Sequence, residues 1–186
     1  MHDLKPLTPL GATEPRVDQI GPIKINEIVS VARATVAARH GAEQATRAAL
    51  GQLLGVAVPT PSRYAGSEVS AISTGPDRWL IEAPIETHED LARFLQGVLG
   101  ANASITEQTD AWCRFDLQGD GLPSVMERLC AADTHQWQGG EAQRTVIDHL
   151  GCYAICRDAS SFSVLGPRSA AGSLHHTLIT TCQSVF

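Results

Sequence analysis

The residues able to do chemistry are few, and their spacing is instructive. His149, Cys152 and Cys156 lie close together and suggest a metal site. In a strand, however, residues 152 and 156 share a face while 149 points away, unless Gly151 reverses the chain. Zinc also needs a fourth ligand and usually a tighter cysteine spacing. Cys152 and Cys156 therefore read as small core residues. A nucleophilic cysteine needs an electropositive, partly open setting. Cys130 and Cys182 fall on apolar helix faces, and Cys113 alternates with core residues. Gly119-Asp120-Gly121 and Gly139-Gly140 lack the Lys-Ser/Thr or third glycine of phosphate-binding loops and read as turns.

His175 and His176 are neighbours in a helical pattern, so their side chains diverge by about 100° and do not converge on one ion. One is expected half-buried and the other exposed. Arg168 opens that helix, where a cation opposes the helix dipole. That misfit points to a carboxylate, a carbonyl or a partner group holding it, although a solvated arginine is the commoner case. Asp110 and Asp116 are the carboxylates of the central strand and read as structural or interfacial. No constellation makes an active site, so an accessory or binding module is favoured over a stand-alone enzyme.

Elements must position these residues. Residues 1–23 carry Pro6, Pro9, Pro15 and Pro22 and read as an extended arm, either idle or laid across a partner. Asn26–Leu54 suits helix or strand at its start. Strand followed by helix is the favoured reading, with Gly55 as the stop. Val69–Ser73 and Trp79–Ala83 flank the turn Gly75-Pro76-Asp77-Arg78 and predict a hairpin. Thr87 and Asp90 have capping-box spacing before Leu91, Phe94, Leu95, Val98 and Leu99. Ser104–Gln108 closes a β-α-β-β-α-β order over residues 29–109, the ferredoxin-like arrangement. Residues 110–186 then read β-α-β-β-β-α. The expectation is an α+β chain divided into an arm (1–23), a first subdomain (24–109) and a second (110–186).

Composition bounds the function. The 186 residues hold 14 Lys plus Arg against 20 Asp plus Glu, a formal charge of −6. That disfavours nucleic acid as the main partner. With 43% apolar residues the chain supports a packed core. Its 18% charged residues fall below the usual ~25%, so part of the surface is expected to be covered. No signal-peptide pattern opens the sequence and no stretch approaches the ~18 apolar residues of a membrane helix. A cytoplasmic protein is expected, with its five cysteines reduced.

Three segments carry a resemblance. GPDRWLIEAP (75–84), TDAWCRFDLQG (109–119) and HLGCYAICRDASSFSVLGPRSAAGSLHHTL (149–178) resemble the gamma subunit of heterotetrameric sarcosine oxidase over roughly residues 29–181. The resemblance implies a fold related to the folate-binding domain of glycine-cleavage aminomethyltransferase. It implies a noncatalytic subunit of a flavoenzyme that demethylates sarcosine to glycine, passes the one-carbon unit to tetrahydrofolate or releases formaldehyde, and forms hydrogen peroxide. The expected partners are the alpha, beta and delta subunits. FAD, FMN, NAD, tetrahydrofolate and zinc are expected in those partners and none in this chain. Related assemblies such as N-methylglutamate dehydrogenase share the subunit plan, and a stand-alone folate-binding protein is the remaining alternative. The residues expected at an interface are Trp79, Trp112, Arg168 and His176, with the arm around Pro6, Pro9 and Pro15.

Overall fold

The structure is a computed structural model and describes residues 5–186. The chain folds as two compact units. One is Ser30–Thr109, and the other joins the described residues up to Val29 to Asp110–Phe186. Each has one antiparallel sheet and two helices.

The N-terminal segment departs from expectation. Strands β1 (Val17–Ile20) and β2 (Ile23–Glu27) form a hairpin. β2 pairs with β8 (Trp112–Gln118), so residues up to Val29 belong with the C-terminal unit. The physical reason is the alternation Ile23-Lys24-Ile25-Asn26-Glu27, which buries Ile23 and Ile25 in that unit's core. A separate arm ending at residue 23 and a boundary at 24 are therefore corrected for the described residues; residues 1–4 of the expected arm lie outside them. Gly119 lets the two strands approach. At φ 136°, a Cβ there would lie 2.1 Å from the Pro22 carbonyl oxygen.

The rest of this unit follows the expected β-α-β-β-β-α order: β8, α3 (Leu122–Leu129), β9 (Ala142–Ile147), β10 (Leu150–Asp158), β11 (Ser161–Pro167) and α4 (Ala171–Val185). The sheet order is β1-β2-β8-β11-β10-β9. Alternation along β8 sends Cys113, Phe115 and Leu117 into the core, where they meet Leu122, Val125 and Met126 of α3 and Leu174, Leu178 and Cys182 of α4. Both helices thus cover one face. The β9–β10 turn is Asp148-His149, with φ 47° and 66°. Positive φ at both central residues is what a two-residue hairpin of the strand's own twist requires.

In residues 30–109 the path is β3 (Val31–Ala38), α1 (Glu43–Leu54), β4 (Tyr64–Gly66), β5 (Ser70–Gly75), β6 (Arg78–Pro84), α2 (Leu91–Leu99) and β7 (Ala103–Glu107). The sheet order is β4-β5-β6-β3-β7. Apart from the short β4, this is the split β-α-β-β-α-β path. Helix α1 stops at Gly55, which takes the left-handed conformation. The cap of α2 is Asp90 itself, which accepts the Arg93 backbone N–H at 3.0 Å. Thr87 is not the cap; its hydroxyl turns back to the Pro84 carbonyl. Ala32, Ala34 and Val36 of β3 and Trp79, Ile81 and Ala83 of β6 form the core with Leu50, Leu91, Leu95 and Leu99.

Candidate functional site

The cysteines are settled by burial. All five are free thiols. Burial pushes Cys152 up to about 12, and Cys156 and Cys182 up to about 11. Such thiols stay protonated at neutral pH and make poor nucleophiles and poor ligands. His149 sits exposed at the tip of the β9–β10 turn, while Cys152 and Cys156 face the core. The reversal thus falls at residues 148–149 and not at Gly151, and the three do not converge. Among the described residues no group of three or more His, Cys, Asp or Glu could hold a metal ion. Among the same residues no helix is long and apolar enough to cross a membrane.

The residues expected at an interface scatter. Trp79 is buried, 3% exposed, and its indole N–H donates to the Pro59 carbonyl at 3.1 Å. It is a core residue of residues 30–109 and not a surface anchor. Trp112 stays half-buried on the side of β8 away from the helices, edge-on to Tyr153 at 5.6 Å. Its indole nitrogen is out of water without a hydrogen bond. His176 is exposed on α4, and its neighbour His175 is buried.

Arg168 is not the solvated arginine that is the commoner case at such a position, because it has partners within its own unit. Its Nη2 donates to the Leu7 carbonyl at 2.8 Å, and Nη1 lies 3.8 Å from the Asp110 carboxylate. The segment before β1 is held a second time by Glu27. That buried carboxylate accepts the backbone N–H groups of Leu10 at 2.9 Å and Arg16 at 3.0 Å. Thr8 closes the loop, its hydroxyl accepting the Ala12 N–H. The stretch carrying Pro9 and Pro15 is thus folded onto its own chain. Nothing in the local sequence marks Glu27 as the anchor, because its partners are main-chain groups 11 and 17 residues away.

Of the two carboxylates expected on the central strand only Asp116 lies on β8; Asp110 sits in the turn Thr109–Ala111 before it, and their settings differ. Asp110 is open, with 91% of its side chain exposed. Asp116 is spent within the sheet: Arg114 holds it through two hydrogen bonds of 2.7 and 2.8 Å, and Ser163 donates to it at 2.6 Å. Arg157 donates in turn to Ser163 at 3.0 Å. Two further ion pairs, Arg33–Glu82 at 2.9 Å and Arg47–Asp77 at 2.7 Å, and the His175–Asp18 hydrogen bond at 2.8 Å escaped the sequence. Each joins residues remote in sequence, so no motif announces it.

Two antiparallel sheets with four helices define an α+β class of protein whose fold is shared with aminomethyltransferase T of the glycine cleavage system from Bartonella henselae. That match has a TM-score of 0.61 at 12% identity, over 82% of this chain and 44% of that one. The chain is more similar to one from the heterotetrameric sarcosine oxidase of Corynebacterium sp. U-96, solved with pyrrole 2-carboxylate. There the TM-score is 0.77 at 22% identity, over 90% of this chain and 87% of that one. No protein-family profile matches the sequence, and no curated protein does.

Proposed function

We propose that this chain is a noncatalytic, gamma-type subunit of a heterotetrameric sarcosine oxidase. The observation that carries the reading is the end-to-end likeness to a chain of such an enzyme, 90% of one length against 87% of the other. The chemistry of the chain supports it. Burial keeps the Cys152, Cys156 and Cys182 thiols protonated, and Asp116, Asp18 and Glu82 are each spent on an internal partner. The low charge supports it too, as does exposed apolar surface on α2 at Phe94 and Val98.

In this reading the alpha, beta and delta partners carry NAD, tetrahydrofolate, FAD, FMN and zinc. The assembly demethylates sarcosine to glycine in the cytoplasm, where five free cysteines stay reduced. Trp112 and His176 are its contact residues. The amine is chosen by another subunit, so an N-methylglutamate-type dehydrogenase fits the same chain.

Co-expression with the products of the adjacent coding sequences tests the proposal. The expected result is a flavin-containing complex that retains this chain through gel filtration and consumes sarcosine. A stable monomer that none of those chains retains would refute it. The fold's likeness to aminomethyltransferase T favours one competing reading, direct folate binding. Saturable tetrahydrofolate binding by this chain, lost in Asp110→Ala or Asp116→Ala, would establish it instead.

A further inference from the structure

Within residues 30–109, α1 and the β5–β6 turn border an open cleft of about 610 Å³. Ala48, Gly51, Val58, Pro59 and Trp79 give it an apolar lining. The Trp79 N–H is already committed to Pro59, so the indole contributes a ring and no donor.

Two charged residues line the same cleft, Arg47 of α1 and Asp77 of the turn. Arg47 Nη2 lies 2.7 Å from Asp77 Oδ1. The contact is one of charge only. Asp77 Oδ1 is out of water and accepts no aligned hydrogen bond. The two residues differ in freedom. Arg47 leaves 57% of its side chain exposed, Asp77 only 24%. Asp77 is also fixed through its backbone, since its carbonyl accepts the Ala38 N–H at 3.0 Å. It holds φ at 53°, a left-handed turn conformation that Asp, Asn and Gly all tolerate. Closing the hairpin does not require a carboxylate oxygen turned out of water and met only by the Arg47 charge. Asp77 belongs to the GPDRW stretch, which the proposed function leaves unexplained.

We propose that this cleft binds the zwitterion of an apolar α-amino acid, with Asp77 taking the ammonium, Arg47 the carboxylate, and Ala48, Val58, Pro59 and Trp79 the side chain. A simple amine would have to displace Arg47 and leave it unpaired. A simple carboxylate would do the same to Asp77. A zwitterion gives both charges a partner as the internal pair opens. Because the pair is largely solvated on the arginine side, opening it costs little. The apolar lining then selects for the side chain.

Calorimetric titration of the full chain, in the assembly in which it is isolated, tests this. The probes are leucine and phenylalanine, with glycine, N-acetyl-leucine and leucinamide as controls. Saturable binding of leucine or phenylalanine is expected, weakened at least about tenfold when either charge or the side chain is removed from the ligand. Asp77→Asn, which tolerates the left-handed turn, and Arg47→Gln, on an exposed helix face, should each weaken it by a similar factor without shifting the thermal midpoint. Ala48→Phe fills the cleft and should abolish it. No saturation by about 10 mM of either amino acid, equal binding of the controls, or binding that survives both charge variants would overturn the proposal. Because binding is read on this chain and assembly on co-purification, either proposal can fail while the other stands.

Discussion

His175 Nε2 lies 2.8 Å from Asp18 Oδ2, joining the last helix to the first strand. An ionised carboxylate only accepts, so Nε2 carries the proton of that bond. Arg16 grips the same carboxylate from the strand side, and Phe115 lies against the imidazole at 5.5 Å. The N-terminal hairpin is thereby fastened at its outer strand as well as along its pairing with β8.

This relationship predicts an acid-sensitive fastening. The Arg16 guanidinium first, and His175 after it, hold the Asp18 carboxyl below its ordinary 3.8. A carboxyl depressed in the folded state stabilises above the unfolded value and loses that contribution as pH falls through the folded one. Asp18→Asn should therefore cost about 1 kcal/mol at neutral pH, since Arg16 is solvent-exposed and asparagine still accepts a hydrogen bond. The gap to the parent protein should close below about pH 4. Urea unfolding as a function of pH checks this; a gap independent of pH would contradict it.

The Arg33–Glu82 pair predicts a larger, non-additive effect. Both side chains are about 3% exposed, and the guanidinium has a nitrogen without a hydrogen bond. Arg33→Met or Glu82→Gln alone leaves one buried charge uncompensated and should cost about 3–5 kcal/mol. Replacing both, Arg33→Met with Glu82→Leu, should cost less than either single change. A double-mutant cycle in denaturant measures the coupling directly.

Glu27 predicts a local opening with little global loss elsewhere. Glu27→Gln keeps the size of the side chain but offers one acceptor oxygen in place of two, so the Leu10 and Arg16 amides can no longer both be held. Hydrogen exchange should quicken at these two amides while residues 30–109 keep their protection. Proteolysis before Val17 should also quicken. Unchanged protection at both amides would remove Glu27 as the anchor.

The thiols predict a simple labelling order. Cys130 is the one cysteine outside the fully buried class. Alkylation near pH 8 should modify it first, and the remaining four only on unfolding. Added zinc should leave that order unchanged, because His149 faces away from Cys152 and Cys156. Mass spectrometry of the labelled peptides reads the order directly.

Apart from the short β4, the order of strands and helices from Val31 onward was legible because alternation and helical spacing are local properties of the chain. So were the turn at Gly75–Arg78 and the divergence of His175 from His176. The role of residues 17–27 was not. A hairpin flanked by prolines looks like an arm until a distant strand, β8, offers it a pairing edge. Trp79 was equally ambiguous, since an indole suits a core or an interface and only its neighbours decide. Residue order was enough for the α+β class, the lack of net positive charge, and the side chains that alternate inward. Only folding brought Leu7 to Arg168, Asp18 to His175, and Arg47 to face Asp77 across an apolar cleft. The difference lies in separation along the chain. Periodicity reports which face a residue takes, while the partner it meets there depends on how faces far apart in sequence are brought together.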